Sequence, residues 1–365
     1  MKVVVCGGGA IGTSIAFFLA RRGAAVTLVE RTAIACAASG KSGGFLAYDW
    51  CDGGPLQELA RRSFTLHSEL ADELGGTDWC YRRMTTYGGQ ASDIWDARRG
   101  PVGWVSERVT LGRVLGSTET TAQVHPGLYS AAMMKAAQAA GATLRIGEVT
   151  GVLREGERAA GVTVDGEAVS ADAVVIALGP WSILAAQWLP LPAVFGLKGH
   201  SLVFETGDAL PADALFLEFA EASGDHASPE VFPRSDGTTY ICGISSEEPL
   251  PIDPAGVAPE PHAIARLEAM CRAISPTLAN AKVLKRQACF RPVSRDGLPL
   301  IGAVPGVGGA YVATGHSVWG ILNAPATGEA MAEMLLDGAA TTVDLGAFNP
   351  GRMRPFDPAG LRMGG

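Results

Sequence analysis

The sequence is poor in charge: Asp, Glu, Lys and Arg together make up only 18% of its 365 residues. Basic residues are the scarcer sign, 29 Lys+Arg against 37 Asp+Glu, for a net charge of −8. That balance argues against a nucleic-acid binder or a protein drawn to anionic membranes. Long apolar runs are missing too. Gly, Pro or a charge interrupts each one well before the ~18 residues that a membrane span needs. No two of the seven cysteines (Cys6, Cys36, Cys51, Cys80, Cys242, Cys271 and Cys289) stand in CxxC spacing, and their number is odd. Neither a zinc site nor a disulfide framework is expected, and no metal; a reducing cytoplasm is the expected setting. The opening Met1-Lys-Val-Val-Val-Cys6 reads as a strand, without the charged region, apolar stretch and cleavage site of a signal peptide. No fixed period organises the 47 glycines, which excludes collagen and solenoid arrays.

What is present is apolar mass and glycine. Hydrophobic residues reach 47%, which rules out wholesale disorder. The length suits roughly two units of ~150–200 residues. Residues 1–30 read as one βαβ unit: an apolar strand, the Gly-rich turn from Gly7 to Gly12, a helix carrying Ile11, Ile15, Phe18 and Leu19, and a second strand ending at Glu30. A helix carrying Leu56, Leu59, Phe64, Leu66 and Leu70 ends near Gly75-Gly76, another runs from His125-Pro126 to Ala140, and four short strands lie between Thr143 and Ala177. Short strands are expected over 79–115, more strands over 194–249, and a helix at Ala263–Ile274. A strand at Ala310–Thr314 and a helix from Gly320 to Leu336 close the pattern, before an aperiodic tail that hugs the surface or frays. Strands and helices alternate at both ends around a strand-rich middle. The fold class expected is therefore α/β: a doubly wound, Rossmann-like domain built from both ends, with a sheet-based second domain inserted. The boundaries fall at 1–78, 125–190 and 285–345 for the first, 79–124 and 191–284 for the second, and 346–365 for the tail.

Gly7-x-Gly9-x-x-Gly12 gains its weight from context, since it follows a strand, opens a helix at Ala10-Ile11, and precedes Glu30 by about 20 residues. Gly7 makes the tight turn, Gly9 lets backbone approach a pyrophosphate, and Gly12 lets helix and strand pack. The helix N-terminus offers free N–H groups to the anion, and Glu30 accepts from ribose hydroxyls. Two further close-approach segments, the Cys36–Phe45 loop and the Val174–Trp181 strand-turn, join a third at Gly302–Gly320. A nicotinamide cofactor needs no three such regions; an extended FAD does.

These motifs resemble those of the D-amino-acid oxidase/glycine oxidase (DAO) superfamily of FAD-dependent oxidoreductases. The resemblance covers nearly the whole chain, through the opening fingerprint, Ser39-Gly-Lys-Ser-Gly-Gly44, Ala177-Leu-Gly-Pro-Trp181 and a closing block from Cys289 to Gly302 and from Thr314 to Gly328. Within it, the Ser-Gly-Lys loop and the Trp319-Gly-Ile-Leu-Asn-Ala-Pro run resemble a subgroup of uncharacterised oxidoreductases from bacteria, fungi and plants. The resemblance implies a GR2-type FAD-binding domain with an inserted antiparallel-sheet substrate domain. It also implies noncovalent FAD held at Gly7, Gly9, Ala10, Ile11, Gly12, Glu30, Arg31, Ser39, Gly40, Lys41, Gly43, Gly44, Val149, Gly179, Trp181, Arg291, Gly315, Val318, Trp319, Gly320 and Ile321. Covalent attachment through Cys289, which aligns with the flavin-linking cysteine of sarcosine-oxidase-like relatives, is the minor alternative. A helix starting near Gly320 would aim its N–H groups at the flavin's N1/C2=O edge, where the reduced ring is negative.

The implied activity is oxidation of an amine or amino acid by hydride transfer to flavin, with oxygen or a carrier as the final acceptor. A 2-hydroxy-acid dehydrogenase and a flavoprotein with mainly a binding or assembly role are the alternatives, because fold alone does not decide function. Arg291, in Phe-Arg-Pro, falls where the family's carboxylate-binding arginine lies; a domain-bridging ion pair is its other reading. Arg295 is read as a partner of Asp296, Lys41 as a cofactor contact or a solvated lysine, and Lys198 as a strand-start lysine, either solvated or placed for a role. His316 is read as a structural imidazole or a proton acceptor, and Tyr240 as a core tyrosine or a pocket residue. Glycine-oxidase-like members carry Gly-His-x-Arg where this chain has Gly315-His316-Ser317-Val318-Trp319. The lost cation puts glycine in doubt and suits a bulkier or aromatic substrate held partly against Trp319.

Overall fold

The computed structural model describes residues 1–93 and 102–364. Its central strand, Lys2–Cys6, is a continuous apolar run because both of its faces are covered. Val3 and Val5 enter a core shared with helices Ala10–Arg21, Gln57–Leu74, Pro126–Ala139 and Gly320–Asp337. Val4 and Cys6 enter a second core, against the three-stranded sheet of Val149–Glu155, Arg158–Val164 and Glu167–Ser170. The six strands lie in the order Leu300–Ala303, Ala310–Thr314, Ala173–Ile176, Lys2–Cys6, Ala25–Glu30, Thr143–Ile146. All run parallel except Leu300–Ala303, which is antiparallel to its neighbour. Strands from both ends of the chain thus meet in one sheet. Gly328 brings two of its helices together: a Cβ there would sit 2.7 Å from the Ser14 carbonyl carbon.

The second sheet runs Lys282–Ser294, Val194–Glu205, Thr238–Ser246, Glu230–Pro233, Asp213–Ala220, Thr85–Ser92, Val109–Gly116, with His226–Ala227 added beside Asp213–Ala220. It is mixed rather than purely antiparallel, because Asp213–Ala220 pairs in parallel with Thr85–Ser92. Those strands come from separate segments of the chain, so no hairpin dictates their relative direction. Lys282–Ser294 pairs with Val194–Glu205 along its length, so the boundary read at 285 falls inside a strand of this sheet. The short strands read at 79–115 are found at Arg82–Arg83, Thr85–Ser92 and Val109–Gly116; positions 94–101 lie outside the described residues.

Period-2 alternation gives this sheet two unlike faces. Leu202, Leu215, Leu217, Val231 and Ile241 pack against helix Pro261–Ile274. The opposite face carries Glu230, Tyr240 and Arg291. A bulge beside Gly243 keeps both Ile241 and Ile244 on the helix side, while Ser245 comes to the other face and meets Arg291. Two of the tail's short turns are opened by prolines, and the tail is tied down: Arg352 Nε donates to Asp296 at 2.7 Å, and Gly364 N–H to Leu250 O at 2.9 Å. No described helix is long and apolar enough to cross a membrane.

Candidate active site

A long cleft runs from the Gly-rich turn of the first sheet to the open face of the second. At its first end, Gly7 adopts φ +113°, and a Cβ there would lie 2.3 Å from Ala177 O. A Cβ on Gly12 would lie 1.9 Å from Gly7 O, so no larger residue fits while the helix packs this close. Helix Ala10–Arg21 starts at Gly9 without a side-chain cap, and Ala10 N–H donates to Ser39 Oγ at 2.9 Å. Glu30 closes the second strand with Oε2 accepting from Gly8 N–H at 2.7 Å and Oε1 from Thr32 N–H at 3.0 Å. Its carboxylate is thereby fixed beside the turn. Ile11, Arg31 and Val149 line the same end, and Arg31 is steadied by Ile252 O at 3.1 Å and Glu148 at 3.3 Å.

The second loop reaches the cleft through Ser39, Lys41 and Gly43. Gly40 and Gly44 do not line it; they let the loop close, since a Cβ on either would sit 2.0 Å from a carbonyl oxygen, of Ala35 and Val124 respectively. Lys41 Nζ donates to Ala288 O at 3.2 Å, across to the second sheet. Arg234, missed in the sequence, is buried at 6% exposure, donates to Ser42 O at 2.9 Å and lies 5.2 Å from the Tyr240 ring centre. It clamps this loop to the sheet. Gly179 and Trp181 line the middle, with Trp181 Nε1 donating to Pro251 O at 2.8 Å.

The closing segment contributes His316, Val318, Gly320 and Ile321 to the wall. Gly315, at φ +79°, shapes the turn before them. Helix Gly320–Asp337 also starts without a side-chain cap and has no acidic residue in its first turn. Two helix N-termini thus meet one cleft with N–H groups to offer an anionic ligand. His316 is buried, with Nε2 3.1 Å from Thr327 Oγ1, and burial pushes its pKa down to about 3. Its imidazole is neutral. Trp319 does not line the cleft; it packs into the helical core and meets Trp50 edge-on at 6.4 Å.

The far floor is the second sheet. Arg291 reaches over Gly199 of the neighbouring strand, where a Cβ would lie 3.3 Å from its Nη2, and donates from Nη1 to Ser245 Oγ at 3.1 Å. Tyr240 is buried, stacks near-parallel on Phe232 at 6.2 Å and lines the cleft, so it is a core and a pocket residue at once. Beside it stand Cys242 and Glu230, paired across their strands, with Cys242 Sγ donating to Glu230 Oε2 at 3.5 Å. Burial raises the Glu230 carboxyl, against the opposing pull of Arg291. Cys289 also lines the cleft, but burial pushes its thiol up to about 11. Lys198 is not a solvated lysine: it is buried and pairs with Glu248 at 2.5 Å. Asp296 is held by Arg352, not by Arg295, and that bond draws its carboxyl down to about 2.

The doubly wound sheet, the Gly-rich turn and the cleft that runs from it to the second sheet are the arrangement of a dinucleotide-binding fold. The family of FAD dependent oxidoreductases (DAO) matches residues 2–334, and the chain belongs to it. A putative oxidoreductase of Schizosaccharomyces pombe is 31% identical, over 96% of this chain and 97% of its own. A glycine oxidase of Pseudomonas aeruginosa is 29% identical, over 96% and 98%. The solved glycine oxidase of Bacillus cereus aligns with a TM-score of 0.76 at 25% identity, over 92% of this chain and 97% of that one. The chain is thus a flavin-dependent oxidoreductase. Its residues fit FAD: two helix ends without side-chain caps for the pyrophosphate and the ring, a carboxylate at Glu30 for ribose hydroxyls, and Gly7 and Gly12, where a Cβ would collide with the backbone that shapes the turn.

Proposed function

We propose that the protein oxidises an amine or amino acid at the carbon bearing nitrogen, and that Arg291 anchors the substrate's carboxylate. The observation that carries this reading is an arginine in the cleft whose hydrogen bond goes to a neutral hydroxyl, Ser245 Oγ, and which forms no ion pair among the described residues. A guanidinium so placed has its planar fork free for a carboxylate, which gives orientation as well as energy. The relatives named glycine oxidase support the amino-acid class.

FAD, when bound, supplies two-electron acceptance. The chain supplies the rest. Gly7, Gly9 and Glu30 would hold the nucleotide, and the loop Ser39–Gly43 is held beside the cleft by Arg234. The N-terminus of helix Gly320–Asp337 brings the partial positive charge of its free N–H groups to the wall. His316, neutral and bonded to Thr327, braces the turn and carries no charge to the substrate. Val318 lines the cleft at the position of the arginine in the Gly-His-x-Arg motif, so this side offers no second cation, which supports a substrate with a larger apolar side chain.

Anaerobic addition of amino acids, amines and 2-hydroxy acids to the yellow protein tests the reading. Bleaching of the flavin absorbance by one or more amino acids is expected. Bleaching by hydroxy acids alone, or by none of the panel, would overturn it.

A further inference from the structure

Arg291 and Glu230 are a guanidinium and a carboxyl group on one cleft face that do not pair with each other, nor does either form another ion pair among the described residues. Each is instead held by a neutral group of the strand between them: Arg291 by Ser245 and Glu230 by Cys242. Opposite charges sharing a desolvated site gain strongly from a partner. Here the backbone keeps them apart. Arg291 lies on Lys282–Ser294 and Glu230 on Glu230–Pro233, with the strands Val194–Glu205 and Thr238–Ser246 between them.

We propose that Glu230 receives the ammonium group of an α-amino acid whose carboxylate is held by Arg291, so that the site selects a zwitterion over a 2-hydroxy acid. The inference rests on the proposed carboxylate anchor. Ser245 and Cys242 are three positions apart on one strand, and the bulge beside Gly243 absorbs one of them, so about two strand steps of ~3.3 Å, ~7 Å in all, separate the two side chains that hold Arg291 and Glu230. An α-amino acid, with a hydrogen bond of ~2.8 Å at each end, spans such a gap. A hydroxy acid offers Glu230 only a neutral hydroxyl, and a dicarboxylate sets like charges together. Burial makes the unpartnered carboxylate costly, so a bound cation relieves that cost, whereas an uncharged isostere does not.

Ligands without a Cα hydrogen isolate binding from turnover. The FAD-loaded protein is titrated with 2-aminoisobutyrate and α-methylphenylalanine, and with their isosteres pivalate and 2,2-dimethyl-3-phenylpropionate. Binding is read from the perturbed flavin spectrum and by calorimetry. The wild type is expected to bind the amino acid of at least one pair tenfold or more tightly than its isostere. Glu230→Gln, which keeps the shape, is expected to erase that preference while leaving the carboxylate isostere bound. Equal preference in wild type and Glu230→Gln overturns the Glu230 assignment alone. Arg291→Lys weakening neither member of a pair, or no binding of any of the four ligands to wild type, overturns the carboxylate anchor beneath it. A Glu230→Ala variant that also keeps the preference would rule out rescue by the glutamine amide.

Discussion

The guanidinium of Arg291 lies across Gly199, so closely that a Cβ on that glycine would stand 3.3 Å from Nη2 and 3.4 Å from Cζ. The empty place over one strand is what lets a side chain from the next reach Ser245 on the third.

Gly199→Val tests that relationship. Valine suits a strand backbone, so folding should survive, but its methyl groups take the space of the guanidinium. Hydrogen bonds to charged groups contribute about 1.5–3 kcal/mol, so displacing Arg291 should raise KM for a carboxylate substrate about tenfold or more with FAD content unchanged. Wild-type KM in this variant would mean that Arg291 finds its substrate by another route.

Cys289 lines the cleft, yet its thiol is pushed up to about 11 by burial, and only a thiolate attacks readily. Acid precipitation should therefore leave a white pellet and a yellow supernatant, and Cys289→Ser should hold FAD as the wild type does. Flavin mass on the Cys289 peptide would contradict this.

Buried histidines make stability pH-dependent, and two of them are the most strongly shifted to values that can be followed. His67 and His316 have folded pKa values near 4 and 3, below the ordinary 6.5, because burial disfavours the charged form. Between about pH 6.5 and 4 the unfolded chain binds protons that the folded one refuses, so stability is full above pH 6.5 and falls as pH drops. Tm should decline between pH 7 and 5, and a His67→Asn/His316→Gln double variant should decline less steeply. Parallel curves would show that other groups control the window.

Much of the first sheet was legible in the sequence because its elements are locally specified. The run Lys2–Cys6 is apolar on both faces, Gly7 and Gly12 have no alternative residue, and Ala310–Thr314 coincides with its expected bounds. The second sheet was less legible, since its strands come from separate segments and its register is tertiary. Thr85–Ser92 meets Asp213–Ala220 only through that pairing, and nothing local states that it is parallel. Glu230 was missed for the same reason. Its signal was a charge in register with Phe232 and opposite to Val231 in a short alternating strand, which gains meaning only once Cys242 and Arg291 share its face. Trp319 was read towards the substrate; it turns into the core, because the Ser317–Trp319 turn, with Ser317 at φ +50°, leaves Val318 at the wall instead.

Flavin reduction by an amino acid, followed anaerobically in wild type, Arg291→Ala and Arg291→Lys, tests the central claim most directly. With FAD content equal in all three, Arg291→Ala should lose at least about tenfold in kcat/KM, because an unanchored substrate is both weakly bound and misplaced. Arg291→Lys should recover only part of that, since an ammonium keeps the charge but not the planar fork. Wild-type kinetics in Arg291→Ala with a carboxylate-bearing substrate would contradict the account.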